Sequence, residues 1–170
     1  MAYAIKNGLE DAGVDVSLIK TTEAKDLDYF DYDLVCIGYP SIQWQAPKQI
    51  AEFLLKRFDN YRKQNKIKMG SPVVPNKNVL IFCTFSEPHT GLDEATPVGK
   101  YLGQFFAHLG FTVLDEWYIL SEFHGSKEHS TLGRMGDIRE KPTEGELIEI
   151  RVKTKKLAYK LLAGLTKITK

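Results

Sequence analysis

Cysteine is scarce. The 170 residues hold only Cys36 and Cys83, each alone in an apolar run and without the CxxC spacing of a zinc or redox site. Both are expected as buried strand thiols in a reducing compartment. A dominant sign of charge is also lacking: 23 Lys and Arg face 22 Asp and Glu, net +1, so there is no basic footprint for nucleic acid. No run approaches the roughly 20 apolar residues that span a bilayer. The first eight residues show no basic region followed by an apolar stretch, which argues against a secretory leader. There is no repeat or low-complexity segment. No Gly-x-Ser-x-Gly elbow supports hydrolysis, and no glycine fingerprint supports nicotinamide binding. What is present is ordinary for a folded chain: 43% hydrophobic residues, enough for a core. A single cytoplasmic domain over residues 1–170 is the expectation.

The periodicities order the elements. Ile5, Leu9 and Ala12 sit at helical spacing in residues 2–12, with Gly13 as terminator. Residues 14–20 (VDVSLIK) alternate and read as a strand. Residues 33–38 (DLVCIG) form a short apolar run of the kind found in parallel sheets covered on both faces, and Tyr39-Pro40 is expected to stop it. A helix begins near Pro47, with Ile50, Phe53, Leu54 and Phe58 as its apolar face. The polar stretch 60–78 reads as a connection, 78–84 as a buried strand, and 96–109 as a helix stopped by Gly110. A strand at 111–120, a loop at 121–142 and a helix at 144–165 complete the order. In that last helix Val152, Leu157, Leu161 and Leu165 are expected to pack, with Lys153, Lys155, Lys156, Lys160 and Lys167 outside. Alternation of this kind implies an α/β layered sheet.

Ligands in open α/β sheets bind beyond the carboxyl ends of the strands. Two such ends carry chemistry here. Residues 38–47 (GYPSIQWQAP) turn at Pro40 and present Ser41, Gln43 and the indole of Trp44. Trp44 either stacks on an aromatic ligand or packs over the edge of the core. Residues 84–91 (TFSEPHTG) offer short hydroxyls and free amides suited to the polar edge of a ring or a phosphate; an ordinary polar loop has the same composition. His124 and His129, with Glu122, Glu128 and Asp137, read as solvated loop residues rather than metal ligands. Phe123-His124-Gly125 follows a strand and is expected to approach the same ligand. Arg57, Arg62, Lys63, Lys66 and Lys68, with Tyr61, form a basic patch that is either a solvated face or a dock for an acidic partner.

Gly38-Tyr39-Pro40-Ser41, Pro47 and Phe53-Leu54 resemble the flavin-contacting loop and following helix of the flavodoxin family. Asp31–Val35 is similar to the start of the family's third strand. Residues 78–85, the helix to Gly110, the strand at 111–120, and Gly133–Ile138 with Pro142 match its later parts in order, from residue 1 to about 165. The resemblance implies a three-layer α/β sandwich with a parallel sheet of 2-1-3-4-5 type, and an FMN-dependent electron carrier. It places Trp44 on one face of the isoalloxazine and backbone contacts from Ser41, Ile42 and Gln43 near its redox-active edge, with Pro40 also among the cofactor-binding residues. Thr84, Phe85 and Ser86 line the pyrimidine side, and Gly91 of the same loop is also implied as cofactor-binding. Redox proteins are the implied partners, with neither nucleic acid nor membrane. Two other functions go with the same likeness: an interaction or assembly subunit without flavin, and an FMN-dependent reductase of quinone-type acceptors.

The family's first strand and its Ser/Thr-x-Thr-Gly-x-Thr phosphate loop have no counterpart before the helix at residues 2–12. Either an upstream segment supplies them, or a partner or second copy completes the sheet, or residues 78–120 take their place with Thr90-Gly91 and Thr96. The last likeness is shared by every strand–loop–helix unit.

Overall fold

In a computed structural model of the chain, residues 1–24, 26–86 and 88–168 are described, with 165–168 in backbone only. They divide into two compact units, one of residues 26–141 and one of residues 1–25 with 142–170.

The larger unit is built on three parallel strands in the order β1-β2-β3: β1 (Leu34–Pro40), β2 (Asn78–Phe85) and β3 (Thr112–Leu120). Leu34 is paired with Asn78 and Pro40 with Thr84, while Phe85 is paired with Leu120. A register shift between Val79 and Leu80 leaves Leu114 as an extra residue, a bulge in β3. The connections are the helices α2 (Lys48–Lys63) and α3 (Thr96–His108). Side chains alternate across a strand, so Val35, Ile37 and Tyr39 of β1 share a face with Val79, Ile81 and Cys83 of β2. That face packs on Leu54 and Tyr61 of α2 and on Val98, Leu102, Phe105 and Phe106 of α3. Each such side chain, removed from water, contributes about 1.5–3 kcal/mol. Burial pushes the thiols of Cys36 and Cys83 up to about 12, so both are poor nucleophiles at neutral pH.

The end of α3 follows from one residue. Gly110 has φ +80°, its N–H donates to Ala107, and the Phe111 N–H reaches back to Phe106. This Schellman motif needs a left-handed residue after the cap, and glycine takes that conformation without a Cβ penalty.

Asp28 ties the segment before β1 to α2. Its carboxylate accepts from the Phe30 N–H at 3.0 Å, the Tyr61 hydroxyl at 3.1 Å and the Lys66 ammonium. The Tyr61 oxygen in turn accepts from the Tyr29 N–H at 2.8 Å, and Lys66 lies 4.8 Å from the Phe30 ring centre. Partial burial alone raises the Asp28 carboxyl, but these donors overcome it and hold the group below its ordinary value. A lowered folded-state value contributes stability that is complete above the unfolded value of about 4 and lost as pH falls through the folded one. Thermal melts between about pH 5 and pH 2.5 should therefore lose less stability in Asp28→Asn than in the wild type. Parallel acid slopes for the two proteins would contradict this assignment.

Three expectations for this unit change. Pro40 does not stop β1 but ends it as a paired residue; among the described residues β1 pairs with β2 alone, and an edge strand tolerates a missing donor. Residues 60–63 belong to α2, whose last basic turn, Arg62 and Lys63, suits a helix C-terminus. The loop 121–142 contains a short helix, α4 (Lys127–Thr131), whose cap Ser126 accepts from the His129 N–H.

In the smaller unit α1 (Ala2–Glu10) packs on α5 (Glu144–Ile168). Approach is close: a Cβ on Gly8 would sit 2.7 Å from Thr154 Cβ. Arg151 grips Asp11 through two bonds of 2.6 and 2.7 Å. Thr143 and Glu146 cap α5 reciprocally, the Thr143 N–H donating to the Glu146 carboxylate at 2.7 Å and the Glu146 N–H to the Thr143 hydroxyl at 3.3 Å. The expected strand at 14–20 is not formed: the segment has no ladder partner among the described residues, and alternation without a neighbour does not make a strand. Val152 is exposed instead of packed; among the described side chains of α5 the buried ones are Thr154 and Ala158, with Leu157 and Leu161 half-buried. Lys155 is half-buried too. The side chains of Leu165 and Lys167 lie outside the described residues.

Candidate functional site

Parallel strands all point their carboxyl ends one way, and in the larger unit the loops leaving β1, β2 and β3 surround a cavity of about 740 Å³. Its wall is Pro40 at the end of β1 with Ser41, Ile42 and Gln43 after it; Thr84 and Phe85 at the end of β2 with Ser86, Pro88 and His89 after it; and Ser121–Gly125 with His129 after β3. The ladder continues into these loops. The Ser41 N–H donates to Thr84 at 2.8 Å and the Ser121 N–H to Phe85 at 2.7 Å, which keeps the three mouths together.

The first loop is a two-residue hairpin. Ile42 and Gln45 exchange backbone bonds of 3.1 and 3.0 Å, and the central residues Gln43 and Trp44 have φ of +49° and +62°. Two successive positive φ values are the type I′ signature, usually met by Asn and Gly. Holding Gln and Trp there stores strain that surrounding bonds must offset.

Glu94 supplies those bonds. It lies in a 3-10 turn (Gly91–Glu94) and is buried. One carboxylate oxygen accepts from the Trp44 indole N–H at 2.6 Å. The other accepts from the Thr90 N–H at 3.2 Å and the Thr90 hydroxyl at 2.8 Å. The Glu94 carbonyl accepts from the Ser41 hydroxyl at 3.1 Å. One residue thus clamps the loop after β1 to the loop after β2. Glu94→Ala should cost about 2 kcal/mol, because charge-assisted bonds are lost. In a Trp117→Phe background Trp44 alone reports: its fluorescence should become more open to acrylamide quenching in Glu94→Ala and much less so in Glu94→Gln. Equal quenching in all three proteins would rule the clamp out.

The third loop is held from behind. The buried Ser130 hydroxyl accepts from the Phe123 N–H at 3.2 Å and donates to the Phe123 carbonyl at 3.0 Å. The His129 ring stacks on Phe123 with centres 5.6 Å apart, and His89 meets His129 edge-on at 6.3 Å. His124 lies 3.6 Å from the Glu122 carboxylate. Behind the second loop, the Arg134 N–H donates to Pro88 at 2.6 Å, which gives the Gly133–Ile138 segment a role in supporting the wall.

Of the residues expected at the site, Pro40, Ser41, Ile42, Gln43, Thr84, Phe85 and Ser86 meet on one cavity, and Phe123-His124-Gly125 joins them. Trp44 and Gly91 do not line it. Trp44 is 58% exposed with its indole bonded to Glu94, and Gly91 is buried at φ +69° against Met135. Glu87 lies outside the described residues. Glu94 and Ser130 were not anticipated. The only local sign of Glu94 was an acid four residues after Thr90. Among the described residues no group of three or more His, Cys, Asp or Glu is placed to hold a metal ion. No described helix is long and apolar enough to cross a membrane.

No family model and no curated protein matches the sequence. Solved structures do. The metal-soaked Flv1 flavodiiron core from Synechocystis is similar over 95% of this chain and 32% of its own, with TM-score 0.57 and 17% identity. A flavodoxin from the domain Archaea is similar over 94% of this chain and 86% of its own, with TM-score 0.54 and 17% identity. Rubredoxin:oxygen oxidoreductase from Desulfovibrio gigas is similar over 96% of this chain and 33% of its own, with TM-score 0.58 and 16% identity. The chain thus spans about a third of the flavodiiron core and of the oxidoreductase, and most of the flavodoxin's length. Its parallel sheet, its helical crossovers and these likenesses together assign it a flavodoxin-like fold.

Proposed function

We propose that the cavity binds flavin mononucleotide and that the protein transfers electrons. The observation that carries this reading is the convergence of three loops at the carboxyl ends of β1, β2 and β3 around about 740 Å³. The donor set fits a flat heterocycle with apolar faces and a polar edge. Ile42, Phe85 and Phe123 offer apolar surface, while Ser41, Thr84, Ser86 and Ser121 offer hydroxyls and backbone groups. Bound FMN supplies one- and two-electron chemistry that no side chain provides. The chain's own residues exclude water from the ring, hydrogen-bond its polar edge and, through Glu94, hold the hairpin that shapes one wall. Trp44 belongs to the same proposal as the aromatic residue of that hairpin, and Gly91 as the turn that lets the second loop close. A flavodoxin and a flavodiiron core among the structural neighbours support the reading.

The partners proposed are redox proteins, with Arg62, Lys63, Lys66 and Lys68 as a dock for an acidic one; Arg57 and Tyr61 of the expected basic patch are buried and take no part in it. The outer edge of β1 is the proposed place for an added strand, whether from an upstream segment or a second copy. The test is optical. The purified protein should carry the visible bands of oxidised flavin, or regain them when FMN is added to the colourless form. A protein that binds neither FMN nor riboflavin would overturn the proposal in favour of a flavin-free interaction subunit. Oxidation of a reduced nicotinamide with added quinone would assign it to the reductases instead.

A further inference from the structure

One face of α5 carries apolar side chains in a regular order. Ile148, Val152, Tyr159 and Leu162 are exposed, at 55%, 46%, 51% and 40%. With Lys155 between Val152 and Tyr159, the steps along the helix are 4, 3, 4 and 3 residues. This is the spacing at which one helix seats its side chains between those of another. From Ile148 to Leu162 the stripe runs about 21 Å. Single exposed apolar residues are ordinary, but a row of four is not. The row is set apart from the buried Thr154 and Ala158, of which Thr154 meets α1 at Gly8. Charge is divided along the same helix. Glu144, Glu146 and Glu149 occupy its start, and Lys153, Lys155, Lys156 and Lys160 follow. Arg151, between the two blocks, is held by Asp11.

We propose that this stripe docks a second copy of the chain, with the two α5 helices antiparallel. The contact does not depend on flavin binding. Its residues read nearly the same from either end: Ile148 and Leu162 each lie seven positions from Lys155, and Val152 and Tyr159 lie three and four away. A two-fold axis at Lys155 therefore sets Ile148 against the partner's Leu162 and Val152 against the partner's Tyr159, each contact made twice. Glu149 falls beside the partner's Lys160, so the acidic start of each helix meets the basic stretch of the other. A parallel pair would set lysines against lysines over the second half of the helix, which like-charge repulsion disfavours. At the axis Lys155 meets its own copy. Its ammonium lies 5.9 Å from the Tyr159 ring centre, and its stem offers apolar surface while the head reaches water. An anionic lipid surface is the other partner that suits a lysine-rich apolar face, but it would repel Glu149 beside Ile148.

A stripe of this length makes a small interface and a weak dimer, so sedimentation equilibrium of the full chain should span about 5–500 µM. The weight-average mass should rise from that of one chain toward that of two. Glu149→Lys sets lysine against lysine at both ends of the dimer, and Lys160→Glu sets glutamate against glutamate. Each variant should dimerise about tenfold more weakly, and high salt should narrow its difference from the wild type. Both substitutions in one chain restore opposite charges, and dimerisation should return to within about twofold of the wild type. An equimolar mixture of the two single variants should recover it likewise. Ile148→Ser with Tyr159→Ser should leave a monomer. A wild type that stays monomeric over the whole range would overturn the proposal, as would a double charge variant no stronger than either single one. Single variants that dimerise as well as the wild type would also overturn it and point to another surface, such as the outer edge of β1. Binding to phosphatidylserine vesicles without self-association would assign the stripe to lipid instead.

Discussion

Gly38→Ala should destabilise the larger unit by about 4 kcal/mol. A Cβ built on Gly38 falls well inside contact distance of the Phe82 carbonyl oxygen and 2.6 Å from Phe82 Cε2. The ring could rotate away, but the carbonyl belongs to the backbone of β2, paired with Gly38 itself. Relief therefore requires β1 and β2 to part, which breaks ladder bonds on both sides of the position. Two residues later the same strand delivers Pro40 and Ser41 to the cavity, so flavin affinity should fall along with stability. Denaturant unfolding of the wild type and of Gly38→Ala measures the first effect, and a riboflavin titration of the folded fraction measures the second. A loss below about 1 kcal/mol would mean that the strands separate at little cost.

Phe106→Ala should cost about 3–5 kcal/mol. Phe106 is fully buried in an aromatic cluster, with ring centres at 5.2 Å to Tyr29, 5.1 Å to Phe105 and 5.4 Å to Phe111. Truncation removes the buried ring and also leaves a void, because Tyr29 is fixed in the turn before β1, where its N–H donates to Tyr61, and Phe111 is fixed by the turn that ends α3, so neither is free to collapse into it. The Phe106 carbonyl also accepts the bond that closes the Schellman motif, a backbone contact that the substitution leaves in place. Phe106→Leu fills most of the volume and should cost about a third as much. Melting temperatures of the two variants separate the cavity from any effect on the helix end, since both retain the carbonyl. A loss in Phe106→Ala no larger than in Phe106→Leu would exclude the void. Either large effect is a substantial part of the roughly 5–15 kcal/mol by which domains of this kind are stable.

How much of this was legible differs with the range of the interaction. The apolar runs at 33–38 and 78–84 read as parallel strands because a continuous apolar run is a local record. How deeply each is covered is not, since β2 is mostly buried whereas β1 is half-buried except at the buried Tyr39 and the exposed Pro40. Gly110 read as a helix stop because its conformational demand is local as well. The segment 14–20 was misread for the complementary reason: its alternation is real, but a strand is a property of two segments, and no described residue pairs with it. Pro40 was read by its missing donor alone, whereas its tolerance in β1 depends on which edge of the strand faces β2.

The site divides in the same way. Residues 40–43 and 84–86 were recognisable because they follow strands, and strand ends in a parallel sheet share one side. Nothing in the string of residues shows that Glu94 bonds the Trp44 indole 50 positions away, or that His89 and His129 come within 6.3 Å. Those contacts exist only once β2 lies between β1 and β3 and the loops close over its end.

By itself, then, the sequence determined the scarcity of reactive thiols, the near-zero charge, the alternation of strand and helix, and the loops that would carry chemistry, all written in composition and short spacings. Only the tertiary structure decided which of those loops meet, that Trp44 is tied to Glu94 off the cavity wall, and that three imidazoles share a surface. Side chains distant in sequence find each other through the sheet that brings their backbones together, and that sheet is a property of the whole fold.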